Sequence, residues 1–183
     1  MLKNSERQYG ALARFFHWAV ALVLVGLFAL GWYMTGLTYY DPWYHDSIEL
    51  HKSLGVLAAV LIVCRIGWAV YDRKPGYPAR LSAWERHAAT LAHGLLYLLM
   101  IALPVSGYLI STAQGHGIDL FGLFEIPALL PAADGREEIA GRVHYFLAFG
   151  GGWVVLLHVA AALKHNLIDN IDILGRMVGR VNE

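Results

Sequence analysis

The stretch VHYFLAFGGGWVVLLHVAAALKH, residues 143–165, limits what this chain can fold into more than any other part of it. It is apolar over the length of a membrane-crossing helix, yet it carries His144 near its start and His158 fourteen residues later. At about 100° and about 1.5 Å per residue, that spacing returns to within roughly 40° of the same face after about 21 Å of rise. The two imidazoles therefore share a face at two depths. Gly151 lies seven residues from each, on that same face, where a missing side chain lets something large and flat approach the backbone. Two buried imidazoles facing one way, most of a membrane apart, are what a helix needs to give one axial ligand to each of two stacked haems. They are also compatible with hydrogen-bonded intramembrane histidines of another function, such as a transporter for metal ions or protons.

Composition decides between a soluble and a membrane setting. Of the 183 residues, 57% are hydrophobic and only 15% charged, too apolar for an ordinary soluble domain of this size. A lone Cys64 in an apolar run excludes an intrachain disulfide, a cysteine-rich zinc site and a self-held iron–sulfur cluster. Without a C-x-x-C-H, covalent haem attachment is excluded as well. Net charge is zero, so electrostatic function must come from how charge is distributed, and no nucleic-acid partner is expected. There is no internal repeat or P-loop, and one domain over 1–183 suffices.

Four spans are expected, at about 15–36, 51–71, 88–112 and 143–164. The expectation is thus an all-α protein, a four-helix transmembrane bundle with an interfacial C-terminal helix. The first span lacks a small-residue cleavage site and reads as uncleaved. It holds His17 in its first turn and Gly31 fourteen residues later, the same spacing again. Residues 38–50, aromatic and acidic, suit an interfacial loop. His51 opens the second span, which runs back across the membrane, so His51 lies at the depth of His144. Gly55 follows it by four residues on the same face, and Arg65 by fourteen, toward the opposite surface. Arg65 is either a snorkelling terminal arginine or the partner of a haem propionate; Arg14, before His17, is also counted among the candidate cofactor-binding residues. The third span has His93 near its start and Pro104 in its outer half, where a kink is expected. The connector 113–142 is acidic, and its segment after Gly117 is apolar enough to lie on the bilayer surface. After His165, the residues Leu167, Ile171, Leu174, Val178 and Val181 form one stripe, the pattern of an interfacial helix or of one packed on a partner subunit.

Eleven of the fourteen Lys and Arg fall on the side holding the N-terminus, the 72–86 loop and the tail; Lys52, Arg136 and Arg142 fall on the other. By the positive-inside rule both termini are cytoplasmic. Two candidate ligand pairs then sit at matched depths, His17 with His158 near the inner face and His51 with His144 near the outer one. Each is the complement of a low-spin b-type haem.

The strings RFFHW around His17, LHKSLGVLAAVLIVCRIGW from His51 to Arg65, LAHGLLYLLMIALPVSGYL around His93, and the stretch at 143–165 resemble the bacterial cytochrome b561 family over nearly the whole chain. The resemblance implies a multi-pass protein of the bacterial inner membrane with two haems b on the same four histidines, and electron exchange with ubiquinone. It further implies superoxide:ubiquinone oxidoreduction, in which superoxide at the periplasmic face gives up its electron and ubiquinone is reduced. Related cytochrome subunits instead serve hydrogenases or formate dehydrogenases, taking electrons from a protein donor. A cationic outer surface would steer superoxide, whereas the first outer loop carries Asp41, Asp46 and Glu49; Lys52 is the candidate entry residue, with Arg142 beside His144. For the quinone, His93 and His165 remain on the inner side. Either could hydrogen-bond a quinone carbonyl and relay a proton; alternatively His165 caps a helix end in water and His93 bonds a backbone carbonyl or a haem propionate. His45, His87 and His116 are expected to be solvated.

Overall fold

The computed structural model describes residues 1–180. Its frame is four long helices, α1 (Ala11–Met34), α2 (Tyr44–Tyr71), α3 (Ala83–Ser111) and α4 (Arg136–Leu167), each long and apolar enough to cross a membrane. In a bilayer every backbone N–H and C=O must be satisfied within the segment, so apolar runs of this length resolve into helices. Successive helices run in opposite directions: α1 packs along α2, α3 along α4, and α2 also touches α3. Val20 and Leu27 of α1, Ala58 and Ile62 of α2 and Met100 of α3 form the buried core at the middle of the bundle. Large apolar residues such as Leu22, Val63 and Leu157 stay outside it, each about 70% exposed, on the faces that meet lipid.

The spans lie where hydrophobicity places them, but all four helices begin earlier than the apolar runs do, and three of those starts carry capping or acidic groups. At α3, Ser82 and Glu85 form a reciprocal capping box. Glu137 and Glu138 occupy the first turn of α4, and Asp46 that of α2, where carboxylates complement the helix dipole. The interfacial loop expected over 38–50 is accordingly shorter, and His51 lies two turns inside α2.

The connector between α3 and α4 contains an element the sequence reading did not anticipate. Strands β1 (Ile118–Leu120) and β2 (Phe124–Ile126) pair antiparallel, with Ile118 opposite Ile126, around a turn in which Phe121 and Gly122 both take positive φ. Ser53 of α2, only 2% exposed, holds this hairpin: its hydroxyl donates to Asp119 O at 3.3 Å and accepts from Phe121 N at 3.2 Å. Tyr108 donates to Pro127 O at 2.9 Å and accepts from Leu129 N at 2.7 Å, while Arg136 donates to the carbonyls of Thr112 and Ala113. The connector is thereby folded onto the end of the bundle.

The tail carries the expected C-terminal helix, but in shortened form. Instead of one stripe along a continuous helix, α4 stops at Leu167, Asn170 takes a left-handed φ of 52°, and α5 (Ile173–Val178) starts afresh. Asn tolerates that conformation, and the Asp172 side chain caps α5 by accepting from Gly175 N at 2.7 Å, so the local polar chemistry overrides the helical period. Ile171 is buried while Leu167 and Val178 are exposed; Val181 lies outside the described residues. The tail straps the termini together. Trp18 Nε1 donates to Met177 O at 3.0 Å, Arg176 to Arg7 O and Gly76 O, and Arg80 to Asp169 O and Asn170 O.

Ser53→Ala should loosen the hairpin without unfolding the bundle. Losing two buried hydrogen bonds costs about 1–3 kcal/mol locally, visible as faster amide exchange at Phe121 with unchanged helix content.

Candidate haem-binding centres

The four expected ligands meet in two pairs. His51 of α2 and His144 of α4 have ring centroids 6.3 Å apart at 80°, near the bundle end that carries the hairpin. His17 of α1 and His158 of α4 have centroids 6.4 Å apart at 54°, toward the end that carries the termini. An iron held between two imidazole nitrogens at about 2.0 Å each sets the centroids about 6.3 Å apart, so both pairs fit a bis-imidazole iron. All four rings are half-buried.

The outer pair is set by its neighbours. A carbonyl can only accept, so the contact of His144 Nδ1 with Leu103 O at 3.1 Å places the proton on Nδ1. Ser106 completes the arrangement, its hydroxyl donating to Leu103 O at 2.9 Å and lying 2.9 Å from the same Nδ1. The Nε2 lone pair is left for a metal, the usual orientation of a ligating histidine. Behind each ring is a glycine. A Cβ on Gly31 of α1 would lie 3.2 Å from His51 Cε1, and one on Gly107 of α3 would lie 3.4 Å from His144 Cε1. Gly31 therefore stands against an imidazole. Sequence reasoning missed Ser106 and Gly107, although a signal existed: Gly107 follows His93 by fourteen residues, the spacing that relates His17 to Gly31.

The inner pair has richer company. His93 lies 5.5 Å from His158, centroid to centroid, with its own flank exposed. Arg65 Nη2 lies 3.3 Å from His17 Nδ1, its guanidinium sits over the Tyr97 ring, and its Nε is buried without a partner. A guanidinium with a free donor beside the ligand pair suits a carboxylate, and a haem propionate is one. Both the ring spacings and this orphaned donor fit haem b.

The remaining candidates are placed as follows. Gly151 is buried, and a Cβ there would make ordinary contact with Leu99 at 3.7 Å; beside Gly55 there is open space. Arg14 lies against Gly179 in the tail. His165 donates from Nδ1 to Asp169 at 2.7 Å, and Lys164 spans Glu85 at 3.1 Å and Asp169 at 2.7 Å. Hydrogen bonds from Lys164 and His165 hold the Asp169 carboxyl below its ordinary range. Lys52 is engaged too, paired with Glu49 at 2.7 Å.

Five substitutions test these centres. His51→Ala should remove one haem and His17→Ala the other, whereas His93→Ala should leave both, as read by haem content and redox titration. Gly31→Leu should displace the His51 ring, an overpacking penalty of about 1–3 kcal/mol, and reduce the haem stoichiometry by one. In Ser106→Ala, losing one of the two partners of His144 Nδ1 should weaken haem retention by about 10-fold.

Comparison with known proteins agrees with the geometry. The family model described as prokaryotic cytochrome b561 matches residues 8–180. Cytochrome b561 homolog 2 of Escherichia coli (strain K12) is 44% identical over 177 residues, 97% of this chain and 94% of that protein. Cytochrome b561 homolog 1 of the same organism is 26% identical over 170 residues, 91% of this chain and 94% of that protein. A protein named "Probable superoxide oxidase CybB", from Yersinia pestis, is 28% identical over 178 residues, 94% of this chain and 97% of that protein. With four membrane-spanning helices, paired intramembrane histidines and a match along nearly its whole length, this chain belongs to the prokaryotic cytochrome b561 family.

Proposed function

We propose that this protein holds two haems b, one between His17 and His158 and one between His51 and His144, and carries electrons between the periplasmic face of a bacterial inner membrane and ubiquinone. The observation that carries the reading is the pair of imidazole couples, spaced 6.3 and 6.4 Å, at the two ends of one bundle. A haem b between two imidazoles takes up and releases single electrons without a proton. The protein's own part is to fix the ring orientations through Ser106, Leu103 and the two glycines, to meet propionate charge with Arg65, and to keep water from the middle of the bundle with the Val20, Leu27 and Met100 core. The excess of Lys and Arg around the termini supports a cytoplasmic position for both.

For the donor, the likeness to the Yersinia protein supports superoxide. Two superoxide ions would each lose one electron, giving dioxygen, and one ubiquinone would take both electrons with two protons to become ubiquinol. Entry would lie beside Lys52. The quinone would be met by His93, whose flank is open, and by His165, whose Asp169 contact fixes its tautomer. A second reading, a protein donor as in hydrogenase- or formate dehydrogenase-linked cytochromes, is favoured by the pairing of Lys52 with Glu49, which cancels the charge meant to attract the anion.

Oxidised and reduced visible spectra of the purified protein should give a sharp reduced α-band and close to two haems per chain. Stopped-flow reduction by superoxide, by ubiquinol and by a protein donor then separates the readings. Reduction by ubiquinol alone would remove superoxide as substrate; protein free of haem when made in haem-replete cells would overturn the whole proposal.

A further inference from the structure

Charge is sorted to the two ends of the bundle. At the end holding His51 and His144, Asp41, Asp46 and Glu49 lie before or within the first turns of α2. Asp119 and Glu125 lie on the hairpin, and Asp134, Glu137 and Glu138 flank the start of α4. Against these eight carboxylates stand three cations, an excess of five negative charges that the other end balances. None of the three is free. Lys52 pairs with Glu49 and Arg142 with Glu138, each at 2.7 Å, and Arg136 is turned inward onto the carbonyls of Thr112 and Ala113. Two of the carboxylates flank an accessible feature. An open recess of about 470 Å³ lies between α2 and the hairpin, with Glu49 on one wall and Asp119 on the other. It opens two residues from His51, the outer member of the electron pathway.

We propose that the redox partner at this end is a soluble protein that presents a Lys- and Arg-rich patch around its own redox group. This rests on the reading of the chain as an electron carrier and goes beyond it by naming the partner's chemistry. A field of this sign concentrates cations and repels small anions, and on a flat, exposed end it governs association rate more than final affinity. The recess receives a long basic side chain while the apolar hairpin residues Phe121 and Leu123, both exposed, supply contact around it. The step is a single electron passing between the partner's centre and the His51–His144 centre, one oxidised as the other is reduced, with no bond made or broken and no proton moved.

The test uses full-length haem-loaded protein in discs of neutral phosphatidylcholine, with empty discs as control. Ferric horse cytochrome c serves as a basic probe and ferricyanide as an anionic one. After reduction and removal of the reductant, electron transfer to cytochrome c should slow by at least about tenfold between about 10 mM and about 0.5 M salt, while the rate with ferricyanide stays level or rises. The variant Asp46→Asn/Asp119→Asn/Glu125→Gln should lower the low-salt rate with cytochrome c several-fold, leaving its high-salt rate and the haem spectrum unchanged. A salt-independent rate with cytochrome c, or a ferricyanide or superoxide reaction that is fastest at low salt, overturns the proposal. Binding of cytochrome c to the discs, read by co-sedimentation, keeps the two readings apart. Haem-free protein that still binds it at low salt would sink the electron-carrier reading alone, and haem-loaded protein that does not would sink the docking surface alone.

Discussion

The structure depends on a single geometric constraint, that groups able to hold a metal must share helix faces at two fixed depths. A membrane interior offers no water to an unpaired polar group, so ionisable side chains there are confined to places where they find a partner. On an α-helix, fourteen residues is nearly four whole turns, which makes it the natural spacing for addressing two layers from one face. This chain uses it on three helices: His144 to His158, His17 to Gly31 and His93 to Gly107. On α1 and α3, which give no imidazole to the outer layer, a glycine stands in that place, and a ring from a neighbouring helix lies against the bared backbone.

That regularity explains why so much was legible in the sequence. Four spans, their alternating direction and the two histidine couples all follow from apolar length and helical period, which are properties of the chain itself. What escaped was set by contacts between distant segments. The hairpin at Ile118–Ile126 depends on Ser53, sixty-odd residues away, and no local periodicity in IDLFGLFEI separates a strand pair from a segment lying flat on lipid. The tail holds the expected C-terminal helix, but a shorter one, for the opposite reason. Its apolar stripe is present, but Asn170 and Asp172 impose a turn and a new cap that outweigh it. Ser106 is invisible as a second partner of His144 until α3 and α4 are laid side by side.

The two centres are not equivalent. At the outer one a hydroxyl and a carbonyl hold His144, each ring lies against a glycine, and His51 Nδ1 is buried without a partner. The inner one adds His93 and a guanidinium with an unused donor, and just below it the Glu85, Lys164, Asp169 and His165 side chains are joined in a chain of short contacts. Titratable groups beside the inner couple suit chemistry that consumes protons. The same asymmetry appears in the charge of the two ends.

One helix, α4, supplies a histidine to both couples, while α1 and α2 supply one each. A residue inserted or deleted between Val143 and Val159 would turn one imidazole by about 100° relative to the other, and no rigid shift of the helix could restore both. Among relatives of this chain, gaps in alignment should therefore gather in the connectors and be absent from this stretch, so that its length, more than the identity of its residues, is the inherited quantity.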